Sequence, residues 1–297
     1  MVRLVSLALM MLGCLTVPAR AQPRDEPAAP PKGQRVFFAS HSGMWFVTDP
    51  LGELAESAKI KGHKKVGLQR LGASKTLQHW ELPEDKNQAK KALKAVEVDV
   101  FVMSPIQFPD EGVENFVKFG LEHNPNMRFL VQITWGGGDI DNQDFPKGAF
   151  AQVNREKTPD QLKQLYARNI QAAEAQADHI NKKYGGGKKV LFLVPSAQAL
   201  VALRTRIAHK EMPGLTKQGE LFNDALSHPS APLEALNTYL HYAVLYDRSP
   251  VGLPMPGLLQ RAKREAWDEK LNRTLQELAW ETAAHYPYSG VTSATKK

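Results

Sequence analysis

The stretch Arg35-Val36-Phe37-Phe38-Ala39-Ser40-His41-Ser42-Gly43 decides how this chain is read. Arg35 to Ala39 is a short apolar run with β-branched and aromatic side chains, the pattern of a buried strand. It stops in the small polar residues Ser40 to Gly43, which end a strand and open a loop. Asp49-Pro50 follows, an N-cap aspartate with proline at the first helical position, so a helix is expected from there to about Lys59. Strand, polar loop and helix in succession place a side chain at the carboxyl edge of an α/β sheet, where such sheets bind ligands. Ser42 is therefore the candidate for the chemistry.

Working outward, the same unit recurs. Further strands are expected at residues 65–71, 98–103, 128–135 and 189–194, with helices at 83–96, 110–123, 158–184 and 195–210. A loop of about 20 residues, rich in Asp, Asn and Gly, precedes Lys157; loops of that length are usually functional or mobile. Two more helices are expected at 231–246 and 258–285. Five strands alternating with helices imply a five-stranded parallel sheet in a three-layer α/β/α sandwich. The α/β domain is expected to span 34–250, with 251–297 as a helical extension packed on it. The stripe Trp267, Leu271, Leu275, Leu278 and Ala279 has the spacing of a packing face.

The chain has 297 residues, 42% of them hydrophobic and 23% charged, enough for a substantial core. Met1 to Arg3 is a short basic start, followed by an apolar run to Val17 and then Ala19-Arg20-Ala21. That is the pattern of a signal peptide, residues 1–21, which implies a secreted or periplasmic protein. The run is too short for a permanent membrane span. Losing Arg3 and Arg20 lowers the formal charge from +7 to +5. The single cysteine, Cys14, lies in that run, so the mature chain has no disulfide. Read instead as a lipoprotein cysteine, it would shorten the apolar region and ignore Ala19 and Ala21. Residues 22–33 are a proline-rich linker. The basic runs 61–65 and 86–94 have no interleaved aromatics and read as solvated faces, so no nucleic-acid partner is expected.

A serine needs a base to act as a nucleophile, and a histidine steered by a carboxylate is the usual one. Asp224 and His228 lie together in a late loop, where the chain can return to the carboxyl edge of the sheet. Taken alone, both are also ordinary turn residues. His41 either touches substrate or makes a structural hydrogen bond at the strand end. Trp45 and the His79-Trp80 pair flank the proposed cleft in sequence, to stack on a sugar ring or to fill the core beneath the loops. His41, His79 and His228 lack a ligand spacing such as H-x-x-x-H, so no metal is expected. Gly136 to Gly138 lacks the lysine and helix start of a phosphate loop and reads as a turn.

Ser42 after the first strand, Gly72 after the second, a polar loop after the third and Asp224 with His228 near the end stand in the order of the SGNH (GDSL-type) hydrolases. From Arg35 to about Tyr246 the chain resembles that superfamily, and most closely its exported bacterial branch, in which the aspartate before the serine is replaced. The resemblance implies Ser42 as nucleophile, His228 as base and Asp224 as its orienting acid, with no metal or organic cofactor. It implies an oxyanion site built from the amides of Ser42 and Gly72. The third-block asparagine is absent, and Ser104 or Gln107 stands in its region. Three residues separate Asp224 from His228 where the superfamily has two. The implied activity is a serine esterase acting on small acyl esters, carbohydrate esters among them. The alternatives are a non-catalytic carbohydrate- or protein-binding module on the same fold and, behind it, a structural envelope protein.

Overall fold

The computed structural model describes residues 29–135 and 153–292. The expected signal peptide, much of the linker and most of the long loop before Lys157 lie outside those residues. Five strands, β1 (Arg35–Ser40), β2 (Lys64–Arg70), β3 (Val100–Ser104), β4 (Arg128–Gln132) and β5 (Leu191–Val194), form one sheet. Every pairing is parallel and the order is β2-β1-β3-β4-β5. This is the doubly wound arrangement expected from the βα repeat. Its order reverses between β1 and β3, so the crevice above those two strands is the natural binding position.

The central strands bury both faces, whereas the edge strand β2 stays largely accessible. Residues 36–40 of β1 and all of β3 are inaccessible to solvent, as suits a central parallel strand. Phe37, Phe101 and Phe129 stand at paired positions across β1, β3 and β4. The Phe37 and Phe101 rings stack at 5.6 Å, and Phe101 meets Phe116 of the helix after β3 at 4.9 Å. Each such buried ring contributes roughly 1.5–3 kcal/mol, so this stack fixes the sheet to that helix.

The helices are α1 (Thr48–Ser57), α2 (Thr76–Trp80), α3 (Gln88–Lys94), α4 (Glu111–His123), α5 (Pro159–Tyr184), α6 (Ser196–Ala208), α7 (Ala231–Tyr246), α8 (Gly257–Arg261) and α9 (Glu269–His285). Right-handed crossovers put α1 on one face and α3, α4 and α5 on the other. α1 accordingly packs with α7, and α4 with α3 and α5. α7 is buried along nearly its whole length, because α9 covers it with Leu271, Leu275, Leu278 and Ala279. No helix among the described residues is long and apolar enough to cross a membrane.

Besides α2, which has no counterpart among the expected elements, three helices differ from expectation. α1 starts at Thr48, because a 3₁₀ turn at Trp45–Val47 runs straight into it and leaves Asp49 inside the first turn. The helix expected at 83–96 starts only at Gln88. Asn87 caps it by accepting from Lys90 N at 2.9 Å, while its amide donates to the carbonyls of His79 and Trp80 at the end of α2. Such side-chain bonds to backbone compete with continued helix. The helix expected at 258–285 is two, since Lys263 takes a left-handed φ of 49° and Asp268 caps a new start through Lys270 N and Leu271 N.

Candidate active site

β1 ends at Ser40, and the loop after it is held from three directions. The Ser40 carbonyl accepts from the Trp45 indole at 2.7 Å and from Leu71 N at 3.2 Å. His41 is buried, and its Nδ1 accepts from the amide of Gly43 at 3.0 Å. Its Nε2 lies 3.2 Å from the Ser104 hydroxyl at the end of β3. From β4, Gln132 Nε2 donates to the Gly43 carbonyl at 3.0 Å. A Cβ at position 43 would sit 2.8 Å from the His41 ring, so the turn needs glycine there. Ser42, between these anchors, is half-buried.

The second half of the site comes from the loop between α6 and α7. His228 Nε2 lies 2.9 Å from Ser42 Oγ. His228 Nδ1 lies 2.5 Å from Asp224 Oδ2, and the His228 amide donates to Asp224 Oδ1 at 3.1 Å. One carboxylate therefore holds both the ring and the backbone of the histidine. The extra residue between Asp224 and His228 is taken up by Ser227, which adopts a left-handed φ of 65°. The loop closes on itself through Asn223 N to His228 O at 2.8 Å and a bridge between Phe222 and Pro229.

The loops after β2 and β3 complete the edge. Gly72 is exposed in the first, and its predecessor Leu71 is tied to Ser40. His79 braces this loop from beneath: Nδ1 faces Gln69 Nε2 at 3.2 Å and Nε2 faces the Ser74 hydroxyl at 3.0 Å. Ile106 N donates to Ser74 O at 3.3 Å, joining the two loops. Gln107 is exposed, whereas Ser104 is buried. Trp80 lies apart from Ser42 in this pattern, edge-on to Phe116 and Phe119 with the Lys90 ammonium 3.7 Å from its ring centre.

Burial and the nearby His228 push His41 down to about 4, so its imidazole is neutral. Burial, with His41 nearby, likewise pushes His79 down to about 4. Burial raises the Asp224 carboxyl, but the bonds from the His228 ring and amide outweigh it and leave the group below its ordinary value. The bonds from His228 thus favour the Asp224 carboxylate over its protonated form. The His228 and Asp224 side chains remain 38% and 44% exposed, so water screens the pair until a bound molecule covers it. Among the described residues no group of three or more His, Cys, Asp or Glu could hold a metal ion.

The structure brings Ser42, His228 and Asp224 into one hydrogen-bonded chain at the switch point of the sheet. His41 and Ser104 lie beside it, joined to one another, while the Trp45 indole is spent on the strand end. Sequence reasoning did not single out Gln132, Trp135 or Arg155. Gln132, a polar residue inside the apolar run Phe129 to Ile133, was the legible one; buried in a strand, such a group must find a partner.

A doubly wound α/β protein with a serine, histidine and carboxylate aligned at its switch point is the class that fold and site define. No protein-family model matches the chain, and no curated protein matches it. Among solved structures it is similar to a chain described as "a putative SGNH hydrolase" from Slackia heliotrinireducens. That likeness has 13% identity and a TM-score of 0.40, over 71% of this chain and 98% of the other. So low a score leaves the site to be read from its own residues.

Proposed function

We infer that the protein is an exported serine esterase of SGNH type that hydrolyses small acyl esters of the acetyl type, esters on carbohydrate among them. The observation that carries this reading is the 2.9 Å approach of Ser42 Oγ to His228 Nε2, with Asp224 behind the ring. Ser42 Oγ attacks the acyl carbon while its proton passes to His228 Nε2, and the Asp224 carboxylate stabilises the imidazolium through Nδ1–H. The oxyanion so formed is met by the amides of Ser42 and Gly72, with Gln107 as the side-chain donor. Ser104 is the weaker candidate for that role, because its hydroxyl lies against His41. Collapse expels the alcohol, which takes the proton from His228. Water then attacks the acyl carbon while giving a proton to His228, and collapse breaks the acyl–Oγ bond as His228 returns that proton to Ser42 Oγ and the acid leaves.

The signal-peptide pattern in residues 1–21 supports export, and the packing of α9 on α7 supports a C-terminal extension that belongs to the same domain. A non-catalytic binding module is the second reading, favoured by the exposure of the His228 and Asp224 side chains. Turnover of an activated acetyl ester by the wild-type protein, abolished by Ser42→Ala, supports the esterase. A folded wild-type protein without turnover selects the module.

A further inference from the structure

The acid–base loop is gripped from outside by two residues that carry no motif signal. Trp135, just beyond β4, donates from Nε1 to the Ser227 carbonyl at 3.0 Å. Arg155, before α5, donates from Nη1 to the Ser227 hydroxyl at 2.8 Å and from Nη2 to the carbonyls of Asp224 and Ala225 at 2.9 and 3.1 Å. Its guanidinium also lies 4.3 Å from the ring centre of Phe222, where the loop begins. The Arg155 carbonyl is held in turn by Arg204, which is fully buried and bonds Gln218 Oε1 at 2.8 Å.

Ser227 and His228 share one peptide group. Trp135 holds its carbonyl, and the Asp224 carboxylate holds its N–H. A peptide group fixed at both ends leaves the His228 Cα one position, and with Nδ1 bonded to Asp224 the ring has one orientation. Ser227 must also keep a left-handed backbone, which a non-glycine residue adopts only when its surroundings impose it. Arg155 supplies that imposition through the hydroxyl.

We propose that Trp135 and Arg155 are positioning residues that set His228 against Ser42 by clamping Ser227 from two sides. Neither reaches the reacting atoms. The role rests on the serine-hydrolase reading above. Its consequence is kinetic: a looser imidazole lowers the rate of proton transfer without altering how substrate binds. Displacements of about 1 Å at a reacting group cost up to about 10²-fold.

The test uses full-length protein with Trp135→Phe, which removes the indole N–H, and Arg155→Gln, which leaves Trp135 in place. Two readouts are taken. The first is the rate at which a fluorophosphonate labels Ser42, together with kcat and KM for an activated ester. Roughly tenfold losses in labelling rate and kcat at unchanged KM are expected in each variant, with melting shown to be cooperative. The second is the downfield proton resonance of His228 Nδ1–H, which needs no substrate; it is expected in the wild type and broadened in both variants. Wild-type rates with a sharp resonance in the variants overturn the proposal, as does a wild type that shows no such resonance. A wild type that neither labels nor turns over ester removes the hydrolase reading alone, and the resonance still decides the clamp.

Discussion

His41 Nδ1 accepts from the amide of Gly43 at 3.0 Å, so this nitrogen carries no proton and the ring's hydrogen sits on Nε2, facing Ser104. A histidine next to the proposed nucleophile is thereby turned inward, into the joint between β1 and β3. It braces the loop on which Ser42 stands rather than competing with His228 for the hydroxyl. His41→Ala leaves the half-buried Gly43 N–H without its acceptor, which costs up to about 1–3 kcal/mol. Melting should fall accordingly and ester turnover with it, while His41→Gln, whose amide oxygen can accept, should recover part of both. An alanine variant that melts like the wild type would rule the brace out.

Three buried imidazoles make the fold acid-sensitive. Burial is the chief cause that pushes His41, His79 and His241 each down to about 4. Between that value and the ordinary 6.5 the unfolded chain binds more protons than the folded one, so stability falls as pH falls through this window. Their contribution is complete above about 6.5 and its loss levels off near 4. A tenfold difference in proton affinity between the two states corresponds to about 1.4 kcal/mol. Denaturant midpoints measured from pH 7 to 4 should decline steadily; a flat profile would contradict the buried neutral rings.

Asp224 is expected to matter for rate and hardly at all for stability. Its carboxylate is 44% exposed, and screened pairs of this kind contribute about 0–1 kcal/mol. Asp224→Asn should nevertheless lower kcat by on the order of 10²-fold or more, because the ring loses the partner that fixes its tautomer. KM and melting temperature should stay near wild type. A variant with unchanged kcat would remove Asp224 from the acid–base chain.

Gln107 is the proposed side-chain donor to the oxyanion. Removing one such donor costs about 10²–10³ in kcat. Gln107→Ala should show a loss of that order at nearly constant KM, whereas Ser104→Ala should mainly lower stability by leaving His41 Nε2 without its hydroxyl. The opposite pattern in paired kinetic and melting measurements would exchange their roles.

Gly112 offers a test of the scaffold. A Cβ there would lie 2.1 Å from Leu77 N and 2.2 Å from the carbonyl carbon of Thr76, both backbone atoms of α2. Asp110 ties the same elements together by accepting from Leu77 N at 3.0 Å and from Gly112 N at 2.9 Å. Overpacking typically costs about 1–3 kcal/mol, and backbone can yield little here, so Gly112→Ala should lie at or above the top of that range by urea unfolding.

The sheet was legible because parallel strands buried on both faces leave continuous apolar runs such as Val36 to Ala39 and Val100 to Met103. Helix limits were legible where a cap had no rival, as with Thr158 before α5, whose hydroxyl and Gln161 form a capping box. They failed at Asn87 and Asp268, where one polar side chain ends or restarts a helix through bonds that periodicity does not record. Ser42, Asp224 and His228 could be picked out by residue type and order along a βα chain. Trp135 and Arg155 could not, since a grip on another loop's backbone depends only on where the fold carries them.

Covalent labelling reads the proposed role of Ser42 as nucleophile directly. Wild-type protein treated with a fluorophosphonate and digested should yield one modified peptide, with the adduct on Ser42, and Ser42→Ala should give none. An adduct on another serine, or labelling that survives Ser42→Ala, would contradict the account.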